Sequence, residues 1–446
     1  MFLAGEIFID DLTGLTAWDG AVHAVPFTAR MLSTYVVPTM PALPPQLLAN
    51  PALDDPAAWT AAAAWGLDGD GATVTANGST WQKIYPNPQP TMGAAADIVL
   101  AFRIEDQTST HYTGGVRGAL LSNSSTNNHY HGRPTASAAL FAPNIAHTFN
   151  RTASQNTYYL ESSPNWSGRV SVQGLYDVSA VRSLPTVVIP QLGQSNRECA
   201  GEGGADPALD VWHPNIWMCP PINYSFYGAT QNIASVAQDP LIHNGSPMQR
   251  VGMAMSMARR LVALTNGAIR VVIVPCAKSG TTLVGPAAHW NPDTTGTGAE
   301  NRLFERAVNT TLAAMGQITN HIGTILCWSQ GEADWQNYAQ YPAAFSNFLT
   351  RFKAATGIAD LPVIVGGGVI ADPASPSALV TMQRTLDKDS GHTNAMADVT
   401  YYDGPVGQQH INTGDTVHFT TAANRIRGDY EGQLAYLLGR DRGWWT

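Results

Sequence analysis

The sequence predicts two structural classes in series: an all-β sandwich, then a three-layer α/β unit built on a doubly wound parallel sheet. Three observations lead there. Beyond Leu184, five short β-branched runs alternate with helical stretches, the pattern of repeated βαβ units. Between about Leu47 and Ser179, short apolar or aromatic runs are split by Gly, Asn, Ser and Thr, without a helical period. Across 446 residues, 44% are apolar and only 13% charged, which supplies real cores and argues against a disordered chain.

Residues 1–46 show no clear period and end in Pro38, Pro41, Pro44 and Pro45, which reads as an arm closed by a stiff linker. Residues 47–181 carry the strand-like runs, among them Ala72–Ala76, Asp97–Phe102 and Arg169–Val172. The segment Asn50–Thr60 resembles the opening of jelly-roll carbohydrate-binding modules; a sugar-binding role and a spacer or assembly role both stay open for this part. Asp68-Gly69-Asp70-Gly71 reads as a turn, since the later ligands of a calcium loop are missing. His129-Tyr130-His131 reads as strand surface, because one alternating pair supplies too few metal ligands. In residues 182–446, strands are expected at Thr186–Pro190, Ile269–Pro275, Thr324–Trp328, Pro362–Gly366 and Val399–Tyr402. Helices are expected near 252–265, 300–321, 338–356, 376–389 and 420–438. The stretch from Arg197 to Arg250 reads as an insertion. Its Trp212, Trp217, Tyr224, Phe226 and Tyr227 form either a wall of the substrate cleft or a small core of their own.

A net charge of −9 argues against a nucleic-acid partner. No run reaches the roughly 20 apolar residues of a membrane span. Met1–Glu6 lacks the basic start and apolar stretch of a secretion signal, so the expected setting is extracellular or virion-associated by another route. The four cysteines form no CxxC pair. Cys276 and Cys327 read as buried thiols, and Cys199 with Cys219 as either bridged or free. Twelve Trp and fifteen Tyr on a weakly charged chain suit contact with sugar rings.

In a doubly wound sheet, chemistry gathers at the carboxyl ends of the strands. The first predicted strand there ends in Gly193-Gln194-Ser195-Asn196, the second in Pro275-Cys276-Ala277-Lys278-Ser279-Gly280-Thr281, and the third in Trp328-Ser329-Gln330-Gly331-Glu332-Ala333-Asp334. Asp415-Thr416-Val417-His418 precedes the last helix. A serine hydroxyl becomes a competent nucleophile when an imidazole accepts its proton, and a carboxylate on the other ring nitrogen fixes the tautomer. Neither a GxSxG elbow nor a phosphate-loop order is present.

Together the four segments, in this order over about residues 184–440, resemble the SGNH hydrolase superfamily, in particular its sialate O-acetylesterase and acetylxylan esterase branch (carbohydrate esterase family six). The resemblance implies an SGNH-type α/β fold and makes Ser195 the nucleophile, His418 the general base and Asp415 its orienting partner. Asp403 is the rival acid. It implies oxyanion donors at the Ser195 and Gly280 backbone N–H groups and at the Gln330 side chain. Ser279 stands where the branch often has another Gly. Asn196 and Glu332 are supporting residues, Glu332 being structural or catalytic and Asn196 tying the nucleophile loop together.

The expected function is therefore a metal-independent, cofactor-free serine esterase that removes O-acetyl groups from a glycan such as a bacterial capsule or lipopolysaccharide. Residues 1–46 would attach it to a phage-like particle. The alternatives are a non-catalytic glycan- or receptor-binding protein of such a particle, and an SGNH lipase or thioesterase.

Overall fold

The structure, a computed structural model, describes residues 35–445 apart from short stretches, chiefly 49–55, 76–81, 90–95, 106–114, 133–143, 152–156, 163–166, 224–229, 245–250 and 294–301. Asp68–Asp70, His129, Tyr130, Cys199, Tyr224, Phe226, Tyr227 and residues 1–34 lie outside the described residues.

Two antiparallel sheets occupy the N-terminal part. The first has the order β1 (Trp59–Ala61), β4 (Gln82–Pro86), β10 (Thr157–Ser162), β6 (Gly115–Leu121), β7 (Thr126–Asn128), with β8 (His131–Gly132) also beside β6. The second has the order β2 (Trp65–Leu67), β3 (Ala72–Val74), β11 (Gly168–Asp177), β5 (Ala96–Glu105), β9 (Asn144–Arg151). Trp59, Ile84, Tyr158 and Leu160 of the first meet Trp65, Val74, Ile98, Leu100, Phe102 and Val170 of the second in one buried apolar layer. Alternation along β5 does more than build that layer. Ile98, Leu100 and Phe102 face it, while Val99 and Ala101 join the core of the following α/β unit.

That unit is a mostly parallel sheet. Its order is β14 (Ser235–Val236), β13 (Ile216–Met218), β15 (Arg270–Pro275), β12 (Thr186–Gly193), β17 (Leu326–Ser329), β18 (Val363–Gly366), β19 (Val399–Tyr402). A short β16 (His321–Thr324) also pairs with β12, and among the described residues only β14 runs antiparallel. Both faces are buried, so the strands read as unbroken apolar runs and successive residues serve opposite layers. Val188, Val272, Leu326 and Val363 point to one face, and Val187, Val271, Cys327 and Ile364 to the other. Helices α2 (Leu303–Gly316), α3 (Tyr341–Thr356) and α4 (Ala378–Arg384) cover the first face. Helices α1 (Ala254–Leu264) and α5 (Thr421–Asp441) cover the second and lie close together; a Cβ at Gly428 would come within 2.1 Å of the Met253 carbonyl oxygen.

Two expectations are corrected. Arg197–Arg250, expected as an insertion, contributes a strand: Ile216–Met218 pairs in parallel with β15 and extends the sheet, and Trp212 and Trp217 pack into its core, neither lining a cleft nor forming a separate core. The described part of the Pro-rich stretch, expected as a stiff linker, packs against the folded units. Tyr35 is buried against Arg259, His213 contacts the Pro41 carbonyl oxygen at 3.2 Å, and Leu47 donates to Leu175. Cys219, Cys276 and Cys327 are free, buried thiols.

Candidate active site

Ser195 lies two residues beyond β12, in a turn closed by Arg197 N–H and Glu198 N–H donating to the Gln194 carbonyl. The turn starts where it does because Gly193 adopts φ 130° and sits against β17. A Cβ there would be 2.0 Å from the Ser329 carbonyl oxygen. One residue on, Gln194 N–H donates to that same oxygen at 2.9 Å. Arg197 fastens the turn from within. Its guanidinium donates to both Glu431 oxygens, at 2.6 and 2.7 Å, and to Gln191, with the side chains of the ion pair fully buried. Burial works against that charge, but the Glu431 carboxylate outweighs it and raises the Arg197 pKa.

His418 arrives from the opposite direction, on the loop before α5. Its Nε2 stands 2.8 Å from Ser195 Oγ and its Nδ1 is 2.5 Å from Asp415 Oδ2. With Nδ1–H donating to the carboxylate, Nε2 is the acceptor facing the serine hydroxyl. Asp415 Oδ1 takes the N–H groups of Thr416 and Val417 at 2.6 and 2.8 Å. Burial alone would raise the Asp415 pKa. The Val417 amide, His418 and the Thr416 amide together outweigh burial and hold it below the usual carboxylate value. Asp403 is engaged elsewhere, accepting from Arg384 at 2.6 and 3.0 Å and from the Tyr401 hydroxyl at 2.7 Å.

Asn196 brackets the histidine. Its Nδ2 donates to the Val417 carbonyl at 2.8 Å and its Oδ1 accepts Phe419 N–H at 3.1 Å, so one side chain holds both neighbours of His418. The same Nδ2 donates to Glu332 Oε1 at 2.7 Å. Burial raises the Glu332 pKa, with the Asn196 bond acting against it.

The loop after β15 comes alongside through Lys278 N–H donating to the Gly193 carbonyl at 3.0 Å and Ser279 N–H donating to Glu198. Gly280 has φ 70°, a left-handed conformation that suits glycine. The backbone N–H groups of Ser195 and Gly280 donate to no acceptor among the described residues. Gln330 is different. Its Nε2 donates to Asp334 Oδ2 at 2.5 Å and to the Thr281 carbonyl at 2.9 Å, and the side chain is fully buried. Both amide hydrogens are engaged, and the nitrogen must face the carboxylate, since an amide oxygen there would repel it. The expected side-chain oxyanion donor is thus a strut between two loops. Asp334 continues it by accepting the N–H groups of Leu283 and Val284 at 2.9 and 3.1 Å.

Sequence reasoning singled out neither Glu198 nor the bracketing geometry of Asn196. A carboxylate three residues after the serine was visible, but its partner, an amide 81 positions away, was not. Among the described residues, no group of three or more His, Cys, Asp or Glu side chains is arranged to hold a metal, and no helix is long and apolar enough to cross a membrane.

Comparison with known proteins places this arrangement in context. The chain is 25% identical over 193 residues to a probable 9-O-acetyl-N-acetylneuraminic acid deacetylase of Escherichia coli strain K12, covering 37% of this chain and 59% of that protein. Among solved structures, it is similar to NanS, with 19% identity and a TM-score of 0.47 over 58% of this chain and 99% of that one. It is also similar to a family two carbohydrate esterase from Clostridium thermocellum in complex with cellohexaose, with 13% identity and a TM-score of 0.32 over 86% of this chain and 99% of that one. The family described as carbohydrate esterase, sialic acid-specific acetylesterase, matches residues 187–433, more than half of the chain, from the start of β12 into α5. That span takes in all four loops that meet at Ser195, and the chain belongs to this family of carbohydrate esterases.

Proposed function

We propose that the chain removes O-acetyl groups from a glycan by a serine mechanism, with Ser195 as nucleophile, His418 as general base and Asp415 as its orienting carboxylate. The observation that carries the reading is the pair of contacts at His418, one nitrogen 2.8 Å from Ser195 Oγ and the other 2.5 Å from Asp415. Ser195 Oγ attacks the acetyl carbon while its proton passes to His418 Nε2. The carbonyl oxygen becomes an oxyanion, for which the unengaged N–H groups of Ser195 and Gly280 are the proposed donors. Collapse expels the sugar oxygen, which takes the proton from His418 and leaves an acetyl-enzyme. Water, activated by the same imidazole, then releases acetate and restores Ser195.

In this reading residues 182–446 carry the reaction. Residues 47–181, the proposed jelly-roll-like unit, present it to a polymeric substrate, and residues 1–46 attach it to a larger particle. An acetylated sialic acid is one candidate substrate, in view of the relative from Escherichia coli.

The test is acetate release by wild type and Ser195→Ala. The variant is expected to remain folded and to lose at least about 1,000-fold in turnover, because the three residues act as a unit. Retention of a tenth of the activity would remove Ser195 from the mechanism.

A further inference from the structure

Beyond the end of β15 the chain keeps its hold on β12 for several residues. Cys276 N–H donates to the Gln191 carbonyl and Lys278 N–H to the Gly193 carbonyl, both at 3.0 Å, in the alternate-residue rhythm of a parallel ladder. Between them, Ala277 N–H goes instead to His243 Nδ1 at 3.1 Å. By the same rhythm, Gly280 N–H would next meet the Ser195 carbonyl. It does not, because the chain leaves β12 at Gly193 and turns through Gln194–Glu198. The ladder stops one bond short, and Gly280 N–H donates to no acceptor among the described residues. Ser279 breaks the alternation. Its N–H faces the nucleophile turn and donates to Glu198 Oε2. Glu198 is itself held in that turn, with its N–H on the Gln194 carbonyl at 3.0 Å and only 3% of its surface exposed.

We propose that Glu198 is a positioning residue for the oxyanion site: its carboxylate fixes the Ser279 amide and so turns the next one, Gly280 N–H, towards the carbonyl that Ser195 attacks. The inference rests on the serine-esterase reading and adds the residue that sets one oxyanion donor against the other. Such a donor is effective only if it is already aimed when charge develops. Gly280, at φ 70°, has no side chain to limit its rotation, and a Cβ there would meet nothing within 4 Å. Packing therefore does not fix its amide, and the bonds on either side must. Glu198 supplies the one before, as a charged acceptor that binds more strongly than a neutral carbonyl. Thr281 closes the loop after it, its Oγ1 donating to the Lys278 carbonyl at 2.7 Å and accepting Trp290 Nε1–H at 2.9 Å. Because Glu198 and Ser195 share one turn, the same carboxylate holds the two donors in register.

The experiment compares the full chain with Glu198→Ala, Glu198→Gln and Ser195→Ala in hydrolysis of 4-nitrophenyl acetate and in inhibition by trifluoroacetone. Ser195 Oγ adds to the ketone carbon as its proton passes to His418 Nε2, and the carbonyl electron pair becomes an oxyanion. The inhibitor thus reports the oxyanion site without turnover. Glu198→Ala is expected to lower kcat about 30- to 100-fold with KM within about threefold, and to weaken trifluoroacetone by a similar factor. Glu198→Gln, whose amide oxygen can still accept Ser279 N–H, is expected to recover most of both losses. A Glu198 that only stabilises the fold would lower the thermal midpoint and leave the inhibition constant of the folded protein unchanged, and that result overturns the proposal. If Ser195→Ala hydrolyses the ester as fast as wild type, the serine reading fails by itself, and the hold of Glu198 on this loop is decided by amide hydrogen exchange. Faster exchange in Glu198→Ala confined to residues 276–283 sustains it, and unchanged exchange there overturns it.

Discussion

At the residue scale, two side-chain amides, Asn196 beside the nucleophile and Gln330 after the third predicted strand, are engaged differently from what their sequence context implied. Gln330 stands where a side-chain oxyanion donor was expected, but Asp334 and Thr281 engage both its hydrogens. Asn196, expected only to tie its own loop together, clasps Val417 and Phe419 on either side of His418. We propose that it acts as a positioning residue, through the imidazole. Asn196→Ala is expected to lower kcat about 10- to 100-fold while KM changes little, since a base displaced by about 1 Å loses rate on that scale. The pH–rate profile is expected to change with it, because the histidine loop is no longer held against the carboxylate. A purely structural Asn196 would lower thermal stability and leave the profile of the folded fraction unchanged.

The five strands and five helices expected beyond Leu184 lie where alternation and β-branched runs put them, and the loops of the candidate site lie at their ends. Ser195 is presented by the geometry of one element boundary, at which β12 passes β17 with no space for a side chain at Gly193. Gly193→Ala combines φ 130° with a contact at 2.0 Å to backbone, which the loop can relieve only by moving. The variant is expected to lose about 3 kcal/mol of stability and to fall in turnover. Gly316→Ala, at the end of α2 with nothing near the added carbon, is expected to be neutral or slightly stabilising. Chemical denaturation of both variants checks the contrast. The short β13 escaped sequence analysis because three residues carry no period; its pairing with β15 is a tertiary fact.

For the whole molecule, the two N-terminal sheets and the α/β unit share a core rather than a flexible joint. Tyr176 packs on Trp212 with ring centroids 5.6 Å apart, and Arg182 pairs with Asp97. The Pro-rich stretch adds a titratable link. Burial lowers the His213 pKa to about 4 from 6.5, with the bond to the Pro41 carbonyl acting against the shift. The unfolded chain therefore binds this proton at higher pH than the folded one. The contribution of His213 to stability is complete above about 6.5 and is lost as pH falls towards 4. The stability advantage of wild type over His213→Gln is expected to shrink by about 3 kcal/mol between those limits. Denaturant titrations at the two pH values measure it, and a constant difference would show that His213 titrates freely in the folded protein.

The sequence by itself determined the α/β class of residues 182–446, the order of the strands along the chain and the four segments that meet at Ser195. These are local properties, since periodicity, turn residues and strand ends are written over a few neighbouring positions. Only the tertiary structure decided that Asp415 and not Asp403 reaches His418, that Gln330 faces inward, and that the Glu198 carboxylate meets the Ser279 amide. Those outcomes depend on which partners long loops bring within about 3 Å, a distance at which hydrogen bonds form or fail. Spacing along the chain does not encode it.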